Sequence, residues 1–286
     1  MKPYVDCHIH MILDGYYYKT AMAAHFDGPR LDLIHAALAR YRDLGFTYLR
    51  DGGDRWDVGR AARSLAGQYG ITYRSPIFPI HKKGHYGGFI GRSYETLADY
   101  RALLEEARKK SADFIKIMIS GLMDFDHFGR LTEAPLEADE IKALIHMAHR
   151  EGFSVMAHAN GTEAVLPAAQ AGVDSIEHGA YLTEEALSAM AENRTVWVPT
   201  LSTIGNLRGT GRYSEPDVTR ILASAQENVA RFHALGGILA PGSDAGAFHV
   251  PHGQGGLDEH RLLEEALGPA AEAALERGSR EIMRRF

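Results

Sequence analysis

Two histidines one residue apart, His8 and His10, end the run Val5-Asp6-Cys7-His8-Ile9-His10. Side chains two apart on a strand share a face, so both imidazoles can converge on one metal ion while Cys7 and Ile9 turn the other way. Four later residues each close a short apolar run: Lys116 in Phe-Ile-Lys-Ile-Met-Ile-Ser, His158 in Val-Met-Ala-His-Ala-Asn, His178 in Ser-Ile-Glu-His-Gly-Ala, and Asp244 in Leu-Ala-Pro-Gly-Ser-Asp-Ala-Gly. Neutral imidazole and carboxylate are the usual ligands of zinc and related divalent ions. Lys116 is the odd member. A bare ammonium amid Phe, Ile and Met is costly, and two cations beside it would add repulsion. It needs a buried acid as partner or a change of charge.

The elements that must position these residues alternate along the chain. Strand-like Tyr4 to His10 leads through a tyrosine-rich loop to an amphipathic run, Leu31 to Leu44, stopped at Gly45. Strand Thr47 to Arg50 is followed by helical Val58 to Gln68, and Ile71 to Ile80 is an extended stretch interrupted by two prolines. After a Gly- and His-rich loop, His81 to Arg92, come helix Leu97 to Lys110, strand Phe114 to Ser120, helix Ala138 to Arg150 and strand Ser154 to His158. Helix Glu163 to Ala171 and strand Ser175 to His178 follow, and Thr183-Glu184-Glu185 opens the next helix with a hydroxyl cap and early acids. Strand Val196 to Leu201, a helix from Pro216 to Leu235, strand Gly237 to Ser243 and helices Leu257 to Leu267 and Ala270 to Arg285 complete the pattern. Eight strands alternating with helices predict an α/β fold, a parallel (β/α)8 TIM barrel. Catalytic groups of that fold collect at the carboxyl ends of strands, where the candidate ligands fall.

A chain of 286 residues with no Pro/Gly/Ser-rich or charge-rich break is expected to form a single domain, 1–286. A net charge of -6, with Arg284-Arg285 as the longest basic cluster, argues against nucleic acid or an anionic membrane as partner. Cys7 is the only cysteine, which excludes an intrachain disulfide and a thiolate zinc cluster. A candidate ligand by residue 8 is expected to leave a signal peptide no room, and no apolar run approaches a membrane span, so a cytoplasmic location is expected. Arg50 is expected to pair with Asp51 or Asp54.

Taken together, His8, His10, Lys116, His158, His178 and Asp244 resemble the dinuclear metal pattern of the amidohydrolase superfamily. Ile115-Lys116-Ile117-Met118, Ala171-Gly172-Val173-Asp174-Ser175-Ile176-Glu177-His178-Gly179 and Val198-Pro199-Thr200-Leu201 are similar to its imidazolonepropionase-like and Xaa-Pro or Xaa-Arg dipeptidase branch. The resemblance implies two divalent ions, zinc or alternatively manganese, and a Lys116 carboxylated on its ε-nitrogen so that it bridges them. It implies hydrolysis of an amide C–N bond in a dipeptide or N-acyl amino acid, a small-molecule substrate, by a hydroxide shared between the metals. Asp244 would take and deliver the proton, and His178 would help bind the second ion. His85, in Lys83-Gly84-His85-Tyr86-Gly87-Gly88, resembles the branch's Gly-His loop that contacts substrate.

Tyr181, just after His178, and His249 and His252, just after Asp244, lie on loops expected to face the pocket. Two departures from the branch stand out. The chain is expected to be a barrel without the branch's accessory β-sandwich, and it carries Ile119-Ser120-Gly121-Leu122 where the branch has a glycine pair. Three alternatives stay open: a one-metal deaminase or cyclic-amide hydrolase without carboxylated Lys116, a metal-dependent lactonase, and a non-catalytic barrel. A homo-oligomer is also open.

Overall fold

The computed structural model describes residues 3–286, so the first two residues of the expected domain lie outside the described residues. The elements are, in order, β1 (Tyr4–Ile9), α1 (Tyr18–Ala23), α2 (Leu31–Asp43), β2 (Phe46–Asp51), α3 (Val58–Ala66), β3 (Thr72–Arg74), β4 (Pro79–Lys82), β5 (Arg92–Tyr94), α4 (Leu97–Lys109) and β6 (Ile115–Met118). They continue as α5 (Ala138–Arg150), β7 (Val155–Ala159), α6 (Thr162–Gln170), β8 (Ser175–His178), α7 (Glu184–Glu192), β9 (Val196–Val198), α8 (Ser202–Gly205), α9 (Glu215–Ala234), β10 (Ile238–Leu239), α10 (Gln254–Leu267) and α11 (Ala271–Arg285). Every pairing between these strands is parallel.

Two ladders, β1-β2-β3 and β10-β9-β8-β7-β6-β4-β5, make one barrel. They are joined on one side because β3 and β4 are halves of a single barrel strand. Pro76 offers the ladder no N–H, and Ile77 takes a left-handed φ of 69°, so the strand pairs with β2 before the break and with β6 after it. On the other side β1 meets the end of β10: Cys7 N donates to Pro241 O at 2.9 Å, Asp244 N to His8 O at 2.7 Å and His10 N to Ala245 O at 2.7 Å. The result is the expected eight-stranded barrel, with β5 added beside β4 from the last residue of the expected loop and the two residues after it. Among the described residues no β-sandwich accompanies it, and no helix is long and apolar enough to cross a membrane.

Short signals set the helix limits. Thr96 and Asp99 form a capping box on α4, with Asp99 N on Thr96 Oγ1 at 3.2 Å and Thr96 N on Asp99 Oδ2 at 2.9 Å. Thr183 precedes α7 as expected, but its hydroxyl accepts from Thr162 Oγ1 at 3.1 Å instead of capping the helix. The inner layer of the barrel is apolar at its amino-terminal end, where Val5, Cys7, Tyr48, Phe114, Met156, Val196 and Val198 pack against Ile282 and Phe286 of the last helix. Gly278 lets α11 approach that closely, since a Cβ there would overlap Leu239 O.

Cys7 corrects one expectation. It shares the interior layer with Val5 instead of facing away from the histidines, because the register between Asp6 and Ile9 is irregular and β1 gains a residue relative to β2.

Candidate metal centre

Above the apolar layer the interior turns polar. Arg50, fully buried, donates from Nε to Cys7 O at 2.7 Å, from Nη1 to Ser175 Oγ at 3.0 Å and from Nη2 to Glu177 Oε1 at 2.8 Å. The expected pairing with Asp51 or Asp54 is therefore not made. Asp54 instead accepts from the backbone N–H groups of Trp56, Val58 and Gly59 at the start of α3, and Asp51 from Met11 N at 3.4 Å. Glu177 reaches upward as well. Its Oε2 lies 2.8 Å from His8 Nδ1, which biases that imidazole to present Nε2 to the layer above.

That layer holds the six candidate ligands. His8 Nε2 and His10 Nε2 are 3.4 Å apart, and Asp244 Oδ1 lies 3.5 Å and 3.3 Å from them. Their donor atoms lie within 4.8 Å of one another, the span of a single cation's ligands. Gly52 makes room for His10, whose ring a Cβ there would strike. The rings of His158 and His178 stand beside this group, 4.5 Å apart between centroids, with His178 5.1 Å from His8. His158 Nε2 is 3.1 Å from Gly121 O, which leaves Nδ1 as its free donor atom, and His178 Nδ1 is 2.7 Å from Thr200 Oγ1, which leaves Nε2. Lys116 lies between Phe114 and Met118 of the interior layer and is fully buried, and its Nζ has no hydrogen-bond partner among the described residues.

Backbone strain brings some of these side chains inward. Glu177 already points into the barrel, so alternation alone would send His178 out toward the helices; its φ of 70° redirects it. Asp244 has a φ of 58° and Thr200 one of 53°. Such conformations persist in non-glycine residues only where neighbours enforce them. At Asp244 the enforcement is visible: buried Asp6 accepts from Ser243 N at 2.8 Å and from Ser243 Oγ at 2.6 Å, and Ser243 Oγ accepts from Ala245 N at 3.0 Å. Asp6 is a positioning residue that sequence reasoning missed, although it stands two residues before His8.

Burial sets the charges. It holds all four histidines neutral: His10 and His158 are lowered to about 3, and His8 and His178 well below the usual imidazole value. The same desolvation pulls Lys116 down and pushes Asp244 up. Neutral imidazoles, a carboxylate and an amine eased toward neutrality are a donor set that fits a divalent cation, and the unpartnered Lys116 Nζ is the group that a metal-linked carbamate would explain.

A cavity of about 420 Å³ opens over the site, reaching His10, His178, Asn160 and Asp244. Its walls are aromatic, from Tyr16, Tyr18, Tyr86, Phe89, Phe125, Tyr213 and Phe248, with Arg212 at the side. None of the four expected substrate contacts is part of this lining. His85 is half-buried with Nδ1 3.7 Å from Glu133 Oε1, Tyr181 packs edge-on against Phe128, and His249 is exposed against Phe248. His252 is buried lower down, with Nε2 2.9 Å from Leu13 O and Nδ1 3.3 Å from Tyr41 Oη. The walls come from loops with no periodicity; the only hint in the sequence is the run of tyrosines after β1.

A parallel barrel with imidazoles, a lysine and an aspartate gathered at its strand ends fits a metal-dependent hydrolase, and the family match gives carbon–nitrogen amide bonds as its target. The chain belongs to the Amidohydrolase family, whose profile matches residues 42–251. It is 29% identical to an uncharacterized protein of Mycobacterium tuberculosis, over 95% of this chain and 70% of that protein. It is also 29% identical to ochratoxinase of Aspergillus niger, over 70% of this chain and 47% of that enzyme. Among solved structures it is similar to a Xaa-Pro dipeptidase with methionine bound in the active site, with a TM-score of 0.79 at 22% identity, covering 99% of this chain and 75% of the other.

Proposed function

We propose that the protein hydrolyses the amide bond of a dipeptide or N-acyl amino acid with two divalent ions, zinc or manganese, and Asp244 as the general base. The observation that carries this reading is the set of neutral imidazoles and Asp244 at the floor of an aromatic cavity, with the unpaired Nζ of Lys116 beneath. His8, His10 and Asp244 would hold one ion, and His158 through Nδ1 and His178 through Nε2 the other, with carboxylated Lys116 between them. Bound divalent ions polarise a carbonyl and lower the pKa of water to about 7.

Asp244 takes the proton of the attacking water and returns it to the leaving nitrogen. A carboxylate whose affinity for protons is raised by burial serves both halves of that transfer better than an ordinary aspartate. The strained turn holds Asp244 in place, so little reorganisation is needed during the step. The aromatic walls exclude water around the scissile bond and strengthen the electrostatic interactions there.

Close convergence of His8, His10 and Asp244 alone favours a second reading, a single ion with uncarboxylated Lys116. The test is elemental analysis of the purified protein together with a screen of the zinc-loaded protein against dipeptides and N-acyl amino acids. Close to two ions and turnover of such amides support the main reading. One ion supports the second. No turnover on any amide refutes both.

A further inference from the structure

Among the described residues, Arg212 is the only lysine or arginine in the cavity lining. No carboxylate of the described residues lies within ion-pair reach of it. Its guanidinium stacks on Phe248, 4.1 Å from the ring centroid, and lies 5.2 Å from that of Tyr213. Stacking fixes the plane of the group and leaves its N–H edge free. The segment that carries it is tied across the mouth: Ser214 N donates to Asp126 Oδ1 at 3.1 Å, and the rings of Tyr213 and Phe125 are 5.3 Å apart. Phe248 stands four residues after Asp244, so Arg212 rests on the same loop that begins at the general base.

We infer that Arg212 anchors a carboxylate of the substrate, and that the preferred amides combine an aromatic body, laid against the tyrosine and phenylalanine walls, with a free carboxylate on the guanidinium edge. This rests on the amide-hydrolase reading of the site and adds the substrate class to it. A planar guanidinium matches a carboxylate through two parallel hydrogen bonds, whereas a neutral amide in the same place can accept only one. The aromatic walls supply affinity that depends little on charge, and Arg212 supplies the discrimination.

The test is calorimetric titration of the zinc-loaded protein with 3-phenylpropionate and with 3-phenylpropionamide. The wild type should bind the acid about tenfold more tightly than the amide, as expected for one charge-assisted contact that is partly open to water. Arg212→Ala should bring that ratio close to one, and Arg212→Lys should retain part of it. Arg212 is exposed, so neither variant should shift the melting temperature, and a circular dichroism melt checks this. A ratio near one in the wild type overturns the inference. An undiminished ratio in Arg212→Ala does too, since the carboxylate would then be read by the metal or another group. Arg212-dependent binding in a protein that hydrolyses no amide would keep the anion site and sink the reaction, so the two failures are distinct.

Discussion

Arg50→Met offers a measure of how the barrel interior is held. Arg50 Nη2 and Glu177 Oε1 are 2.8 Å apart with both side chains fully buried, a gross attraction of about 6 kcal/mol at an effective dielectric of 20. Much of that attraction offsets the loss of hydration, so the pair as a whole is worth far less. Removing only the arginine leaves the buried carboxylate of Glu177 without its ion-pair partner, a loss of about 3–5 kcal/mol. A chain of this length unfolds with an entropy of about 0.6 kcal/mol/K, so the melting temperature should fall by about 5–8 °C. Methionine keeps most of the volume, which separates the charge from a packing defect. Differential scanning calorimetry of Arg50→Met, Glu177→Gln and the double variant completes the cycle. The double variant should be more stable than Arg50→Met alone, because the stranded carboxylate is gone. A single variant within 1 °C of wild type, or a double variant no better than the single, would refute the assignment of Glu177 as an anion dependent on Arg50.

Asp244→Asn should lower turnover by about 10²–10⁴-fold with an unchanged melt, because an amide fills the position but takes no proton; wild-type activity in the steady-state assay would reduce Asp244 to a turn residue. Lys116→Ala should lose metal and activity together, and short carboxylates should restore part of both, read by elemental analysis and turnover; full metal content in the variant would exclude a bridging role. Burial raises Glu259 to about 8 from an ordinary carboxyl value near 4.5, so the folded protein holds more protons than the unfolded chain between those values and stability declines as pH rises through that window. Glu259→Gln keeps an acceptor for Ser202 N, 2.7 Å away in the wild type, and removes this decline, so its advantage in melting temperature should grow from pH 6 to pH 9; a constant difference would show that Glu259 does not titrate there.

The candidate ligands were legible because each is a polar side chain closing an apolar run, a pattern that needs no knowledge of distant partners. The barrel was legible for the same reason, including a break in its third strand; that break falls at Pro76 and Ile77, whereas Pro79, the second proline of the stretch, lies within β4. What sequence could not supply was direction. Nothing in Ser-Ile-Glu-His states that His178 bends back on a left-handed backbone, since Thr200, Trp197 and the neighbouring strand impose that bend from elsewhere. The partner of Arg50 lies 127 residues away on β8, whereas the nearby Asp54 is consumed by the N-terminus of α3. Tyr181, His249 and His252 were chosen for closeness in sequence to a ligand, and His85 for its resemblance to a substrate-contacting loop. Loops have no period that would show which residue of a turn faces inward, and the cavity took Tyr86, Arg212 and Phe248 instead.

Phe286 and Ile282 stopper the barrel beneath the Arg50 layer, so among the described residues the candidate site opens away from that end, toward the aromatic mouth. On the proposed reading, substrate and both products share that doorway in turn. An amine or acid fragment with its own ring lingers on the walls that admitted the intact molecule, and it blocks the next arrival until it departs. Traffic through a shared exit therefore couples tight recognition to slow clearance. Substrates with the best aromatic fit should show the strongest competitive inhibition by their own products, and a rate limited by departure more than by bond cleavage.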